Sequence, residues 1–155
     1  MEIPITIGRA TLSDLEEIVA IEESCLSSEE IVSYEFLEES IRKIADTFLV
    51  ARDENQLLGY VLGESQSLHS TWIEIRSFAI HPDHRGQGLG TLLLASLKQV
   101  AVERGYEYLY LTCPDDLISY FEMNGFVEEE VPEASCARFS GWNLIWANPF
   151  YQEEV

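Results

Sequence analysis

The segment Ile80-His81-Pro82-Asp83-His84-Arg85-Gly86-Gln87-Gly88-Leu89-Gly90-Thr91 carries the densest chemistry in the chain. An apolar run ends, glycines follow at alternate positions, and a long stretch with helical periodicity begins. Glycine lets backbone approach an anion closely, and the first N–H groups of a helix have no partner within it. A phosphate or pyrophosphate is the natural guest of such a turn. Two common phosphate signatures do not fit. A Rossmann turn needs G-x-G-x-x-G, but its last glycine falls on Thr91 counted from Gly86 and on Leu93 counted from Gly88. A P-loop ends in Gly-Lys-Ser/Thr, but Gly90 is followed by Thr91 and Leu92.

Other reactive side chains stand near this turn. Glu74 and Arg76 lie in the apolar run that leads into it, and period-two alternation puts both on one strand face. There they can act on a ligand or simply pair as ions, and pairing keeps a carboxyl acidic and a weak base. His81-x-x-His84 and His69 suggest a metal, but no carboxylate or cysteine set completes a site, so no metal is expected. Cys25, Cys113 and Cys136 are odd in number and widely spaced, which argues against a disulfide framework. Cys113 falls near a strand end with no evident activating partner, so a covalent thiol mechanism is not expected.

The elements that must position these groups follow from periodicity. Ile3, Ile5 and Ile7 alternate as in a half-buried strand. Ser13 and Glu16 have capping-box spacing before a stripe of Leu15, Ile18, Val19 and Leu26. The polar stretch from Cys25 to Glu30 reads as a loop, and Tyr34, Leu37, Ile41 and Ile44 as a second amphipathic helix. Phe48 to Ala51 and Leu57 to Leu62 form a hairpin around the turn Asp53-Glu54-Asn55-Gln56. Trp72 to Ile80 is a strand. Gly88 to Glu103 is a helix closed by Gly105, and Tyr106 to Thr112 is the next strand. Asp115 or Asp116 caps a helix that ends near Asn124-Gly125, and Phe126-Val127 and Trp142 to Trp146 are final strands. The order β, α, α, β, β, β, α, β, α, β, β is a mixed α/β layout.

Composition bounds the function. The chain has 155 residues, 46% hydrophobic, enough for one packed domain. Nine basic residues against 28 acidic ones give a net charge of −19. Such a surface repels phosphate backbones, so no nucleic acid partner is expected, and it attracts cations such as amines. The start Met-Glu-Ile-Pro shows no secretory signal, and no apolar stretch reaches membrane-spanning length. The expectation is a cytoplasmic protein without membrane contact.

The Arg85-x-x-Gly88-x-Gly90 spacing after Phe78-Ala79-Ile80 resembles the pyrophosphate signature of the GNAT superfamily of N-acetyltransferases. Tyr120-Phe121-Glu122-Met123-Asn124-Gly125-Phe126 looks like the late helix of that family. Cys25 to Leu37, Leu111 to Leu117 and Ser140-Gly141-Trp142 resemble its arylalkylamine N-acetyltransferase-like branch. The resemblance implies a GNAT fold of mixed α+β type over residues 1–155 as a single domain. Its centre would be a mixed, mostly antiparallel twisted sheet with helices on both faces.

It also implies acetyl-CoA as co-substrate and a small-molecule amine as acceptor, an arylalkylamine or polyamine first. Phe78, Ala79 and Ile80 would lie along the pantetheine arm. Gly86, Gln87, Gly88, Leu89, Gly90 and Thr91 would cradle the pyrophosphate, with Arg85 neutralising it. Glu74 falls at the position of the family's general base. The tyrosine that protonates the leaving thiolate would fall on Phe121, so either the neighbouring Tyr120 substitutes or the thiolate leaves without that acid. The aromatic end Trp142, Trp146, Phe150 and Tyr151 would serve the core or a homodimer contact. The alternative function is a CoA-binding sensor or partner-binding module without catalysis.

Overall fold

The computed structural model describes residues 4–26, 31–43, 46–65, 71–129 and 141–152. Expectations resting on Ile3, residues 27–30, Ile44, His69, Cys136 and Ser140 lie outside them. The elements are β1 (Thr6–Arg9), α1 (Leu15–Cys25), α2 (Tyr34–Lys43), β2 (Phe48–Arg52), β3 (Leu57–Ser65) and β4 (Trp72–Ile80). After them come α3 (Leu89–Arg104), β5 (Tyr108–Cys113), α4 (Ile118–Met123), β6 (Val127–Glu128) and β7 (Trp142–Ala147). The strands form one sheet in the order β1-β2-β3-β4-β5-β7-β6. Every neighbouring pair is antiparallel except β4 and β5. This is the mixed α/β arrangement expected from the sequence.

Helices cover both faces. On α3, Leu89, Leu93, Leu94, Leu97 and Ala101 recur at helical spacing and pack with Val61, Ile73, Leu109 and Leu111. Phe121 of α4 and Phe126 join the same core. On the opposite face, Leu15, Ile18 and Ile21 of α1 and Leu37 of α2 pack with Phe48, Tyr60 and Leu62. β3 is buried from Leu57 to Gly63, as expected of a strand covered on both sides. Gly105 ends α3 in the left-handed conformation (φ 76°), and the Tyr106 N–H returns to the Ala101 carbonyl at 2.9 Å. Among the described residues no helix is long and apolar enough to cross a membrane.

Two caps differ from expectation. The box closes at Thr11 and Asp14, not at Ser13 and Glu16, because a 3-10 turn over Leu12–Asp14 precedes α1. Asp14 Oδ2 accepts the Thr11 N–H at 2.8 Å, and its other oxygen takes Arg52 at 2.6 Å. Arg52 also holds Glu17 at 3.0 Å, so one cation ties the start of α1 to the hairpin. At α4, neither Asp115 nor Asp116 caps the helix. A 3-10 turn, Asp115–Leu117, intervenes, and Asp115 instead accepts the indole N–H of Trp142. Of the aromatic end, Trp146 packs on the core while Phe150 is exposed.

Glu22 of α1 is buried and accepts the Val32 N–H at 3.1 Å. Burial raises its pKa above the ordinary 4.5, outweighing the Val32 bond, and the Glu23 charge adds to the rise. A carboxyl with a raised folded pKa contributes fully below its unfolded pKa and loses that contribution as pH climbs through the folded value. Glu22→Gln keeps the acceptor and removes the charge. Urea unfolding at pH 4 and pH 7 should show the variant gaining on wild type as pH rises. A variant that loses ground between those pH values contradicts this account of the α1 face.

Candidate functional site

β4 and β5 pair only at Trp72–Tyr108, Ile73–Leu109 and Glu74–Tyr110. Beyond Glu74 they separate. β4 stays with β3 as far as Ile80, and β5 stays with β7 as far as Cys113. The β4 edge that faces β5 is therefore open from Ile75 to Ile80. Glu74, Arg76, Ser77 and Phe78 line one wall of the resulting cavity, and Thr112, Cys113, Leu117 and Phe121 line the other. A larger hollow of about 500 Å³ lies by the end of α2, against Glu64, Ser65, Arg104 and Tyr106. It sits at the opposite end of β4 from the glycine turn, so the splay between the strands is the better candidate site.

The glycine turn continues directly from the open edge. Gly86 (φ 79°) and Gly88 (φ 81°) occupy the left-handed region, which other L residues enter at a cost. Open space surrounds the position of a Cβ at either residue. Gly88 begins α3 and supplies no side-chain cap. The first backward bond is from the Leu92 N–H to the Gly88 carbonyl at 3.0 Å, so Leu89, Gly90 and Thr91 direct their N–H groups out of the helix start. The first turn of α3 holds no acidic residue. Arg85 and Gln87 are exposed beside it. Together these features form an anion cradle. His81 builds the turn, its Nδ1 accepting the Asp83 N–H at 3.1 Å, and His84 contacts Gln56 at 2.8 Å. Among the described residues no group of three His, Cys, Asp or Glu gathers as a metal site would require.

Glu74 and Arg76 do share a face, as alternation predicts, but they do not pair. The β3–β4 register shifts between Leu62 and Gly63, which makes Arg76 the extra residue of a bulge. The bulge turns Arg76 toward β3. Its Nη1 bonds Glu64 at 2.6 Å, and its guanidinium lies 4.7 Å over the Phe36 ring of α2. Glu64 stands opposite Glu74 in the register. Glu64 and Phe36 were not singled out in the sequence, because no local spacing reveals a bulge-dependent cross-strand pair. Glu74 itself is buried on the cavity wall.

Tyr120 and Phe121 take different places. Phe121 is buried, packs 5.9 Å from the Phe78 ring, and lines the cavity. Tyr120 stacks on Phe78 at 6.4 Å, and its hydroxyl reaches the start of α3 at Gly90. Burial raises its pKa, against a hydrogen bond with Thr91 that lowers it, so the phenol keeps its proton at neutral pH. Cys113 is buried, and burial with the nearby charges of Asp116 and Asp115 pushes its thiol up to about 11. Such a thiol is no nucleophile near pH 7.

The sequence profile described as "Acetyltransferase (GNAT) family" matches residues 14–126. An acetyltransferase of Photorhabdus laumondii, plu1384, is 27% identical over 104 residues, covering 66% of this chain and 71% of that protein. The ribosomal-protein-S18-alanine N-acetyltransferase of Escherichia coli superposes with a TM-score of 0.77 at 18% identity, covering 98% of this chain and 99% of that one. The PaiA N-acetyltransferase of Thermoplasma acidophilum, in complex with coenzyme A, superposes with a TM-score of 0.71 at 19% identity, covering 93% and 99%.

Gly90 is a glycine for a different reason from Gly86 and Gly88. A Cβ there would overlap the Tyr120 hydroxyl and lie 3.1 Å from the Phe78 ring. Alanine is the better helix former by roughly 1 kcal/mol, but overpacking costs about 1–3 kcal/mol. Thermal unfolding should therefore find Gly90→Ala less stable than wild type, with part of the loss recovered when Tyr120→Phe is added. A Gly90→Ala variant more stable than wild type contradicts the packing of Tyr120 on α3.

Proposed function

Because the chain belongs to the acetyltransferase (GNAT) family, a family of acyltransferase enzymes, we propose that it transfers the acetyl group of acetyl-CoA to a primary amine. The observation that carries this reading is the open β4 edge running into the glycine turn at the start of α3. The residues present fit the ligand. Gly86 and Gly88 leave room for a pyrophosphate, and the N–H groups of Leu89, Gly90 and Thr91 supply donors, with Arg85 and Gln87 beside them. The β4 edge that β5 leaves open at Phe78, Ala79 and Ile80 meets the pantetheine arm as a strand would, with the Ile80 carbonyl already taking the Cys25 thiol. The coenzyme A complex of the PaiA enzyme supports the same assignment.

Bound acetyl-CoA supplies an activated thioester. The chain supplies position and a base. The splayed strands hold the thioester carbon beside the amine, which removes much of the entropic barrier. An alkylamine with a pKa near 10.4 is almost wholly protonated at pH 7. Glu74 takes that proton, directly or through water. Among the described residues it is the one carboxylate on the cavity wall. Of the two expectations for the leaving thiolate, the geometry supports departure without a tyrosine acid, since Phe121 and not Tyr120 lines the cavity.

The acceptor side favours an arylalkylamine over a polyamine, in keeping with the arylalkylamine-like branch. Leu26, Ile75 and Phe78 give the wall apolar surface, whereas a polyamine needs several carboxylates. The net charge of −19 gathers cationic amines at low salt. The free thiols of Cys25 and Cys113 suit a reducing compartment such as the cytoplasm.

Thiol release from acetyl-CoA with a panel of amines tests the reading, with release that depends on the amine as the expected outcome. Glu74→Gln, which keeps the shape but not the basicity, should lower kcat/KM roughly 10²- to 10⁴-fold at pH 7, with the loss shrinking at high pH. Tyr120→Phe should leave kcat within about an order of magnitude of wild type. A Glu74→Gln enzyme at the wild-type rate from pH 6 to 9 removes Glu74 from the mechanism.

A further inference from the structure

We infer that the Arg76 guanidinium grips a carboxylate carried by the acceptor, so that the substrate is a zwitterionic amine such as an amino acid. This rests on the acetyl-transfer reading and departs from a simple arylalkylamine acceptor by adding a carboxylate to the amine. The observation is an imbalance within one side chain. The Arg76 side chain is only 4% exposed, yet among the described residues Glu64 alone bonds it, through Nη1. Its Nε–H is buried and has no hydrogen-bond partner among the described residues. Arginine is always charged and carries five donors, and a buried donor without an acceptor is costly enough that native structures rarely keep one.

The orphan has a direction. Nε–H and the outer Nη2 form the edge of a guanidinium that matches a carboxylate with two parallel bonds. Glu64 on Nη1 leaves that edge for another occupant, and the guanidinium carbon sits 4.7 Å over the Phe36 ring, which helps to hold the fork in place. Arg76 lines the same cavity as Glu74, two residues along the same face of β4. A ligand with its amine at Glu74 therefore brings neighbouring atoms to Arg76.

Electrostatics agrees with this geometry. An acceptor bearing only cationic groups meets a buried cation at Arg76 and is repelled. A zwitterion offers its carboxylate to Arg76 and its ammonium to Glu74. Once bound, the amine lies near a fixed positive charge, which favours its neutral, nucleophilic form. The overall acidity of the chain makes this local cation the feature that discriminates, because exposed charges beyond about 8 Å are screened at physiological salt.

The experiment uses the intact protein with acetyl-CoA and matched acceptors, each an amino acid, its α-amide and its decarboxylated amine. Thiol release gives kcat and KM for wild type, Arg76→Gln and Arg76→Lys. In the best series the carboxylate member should lead in kcat/KM by roughly 10- to 100-fold, the worth of a charge-assisted hydrogen-bond pair. Arg76→Gln should raise KM for that member by a similar factor, lower kcat less than it raises KM, and erase the preference. Arg76→Lys keeps the charge without the fork and should recover only part of it. If Arg76→Gln does not fold, the wild-type series alone decides. Wild type that acetylates decarboxylated amines as well as or better than the amino acids in every series overturns the inference and leaves the acetyl-transfer reading standing. No thiol release with any amine overturns both.

Discussion

Two adjacent parallel strands that bond to each other for only three residues govern the rest of this structure. Past Glu74, β4 is held by β3 and β5 is held by β7, and the two pairs of strands pull apart. On the β5 side, Gly141 allows close approach, since a Cβ there would fall 2.7 Å from the Cys113 carbonyl oxygen. On the β4 side, the bulge at Arg76 adds twist and bends the strand away. Backbone N–H and C=O groups left open at the centre of a sheet require a partner. In this molecule the opening leads straight to α3, whose first turn also carries unsatisfied donors. Both sets of unpaired groups belong to one continuous groove, which a long ligand with a strand-like arm and an anionic end satisfies at once.

Charge placement refines that picture. A chain at −19 is a poor host for phosphate at long range. Screening limits exposed charges to about 8 Å at physiological salt, so the near field decides. In the near field, the start of α3 has no acidic residue, only outward N–H groups and Arg85. At the other end of the groove, one carboxylate and one guanidinium stand on the same strand face, each buried. Buried charges persist where they are paired or have work to do on a ligand. Glu64 answers half of the Arg76 requirement, and the remaining fork of donors gives the acceptor pocket its polarity.

The parts of this architecture written in local periodicity were legible in the sequence. Trp72–Ile80 has both of its expected ends, and the helix after Gly88 closes at Gly105 as expected, its last helical residue being Arg104 and not Glu103. Gly86, Gly88 and Gly90 were read as one turn, yet the structure separates them. The first two serve backbone conformation, and the third makes room for Tyr120 and Phe78. What escaped the sequence depends on register or on distant partners. The capping box moved to Thr11 and Asp14 because a 3-10 turn absorbed Ser13. Asp115 was spent on Trp142, a residue far along the chain, and not on a helix cap. The Glu64–Arg76 pair needs a bulge between strands, and alternation alone cannot announce one. Tyr120, one position from Phe121, was sent by helical rotation to a different neighbour.

The most direct test of the account is amide hydrogen exchange with and without CoA. The open edge of β4 and the start of α3 are the groups claimed to meet the ligand, and exchange reports on those amides individually. CoA should slow exchange in peptides covering residues 75–91 and leave the β2–β3 hairpin at 48–62 unchanged. Protection confined to the hollow around Arg104 and Tyr106, with residues 75–91 exchanging at their free rate, would contradict the claim that the splayed strands and the glycine turn form one ligand groove.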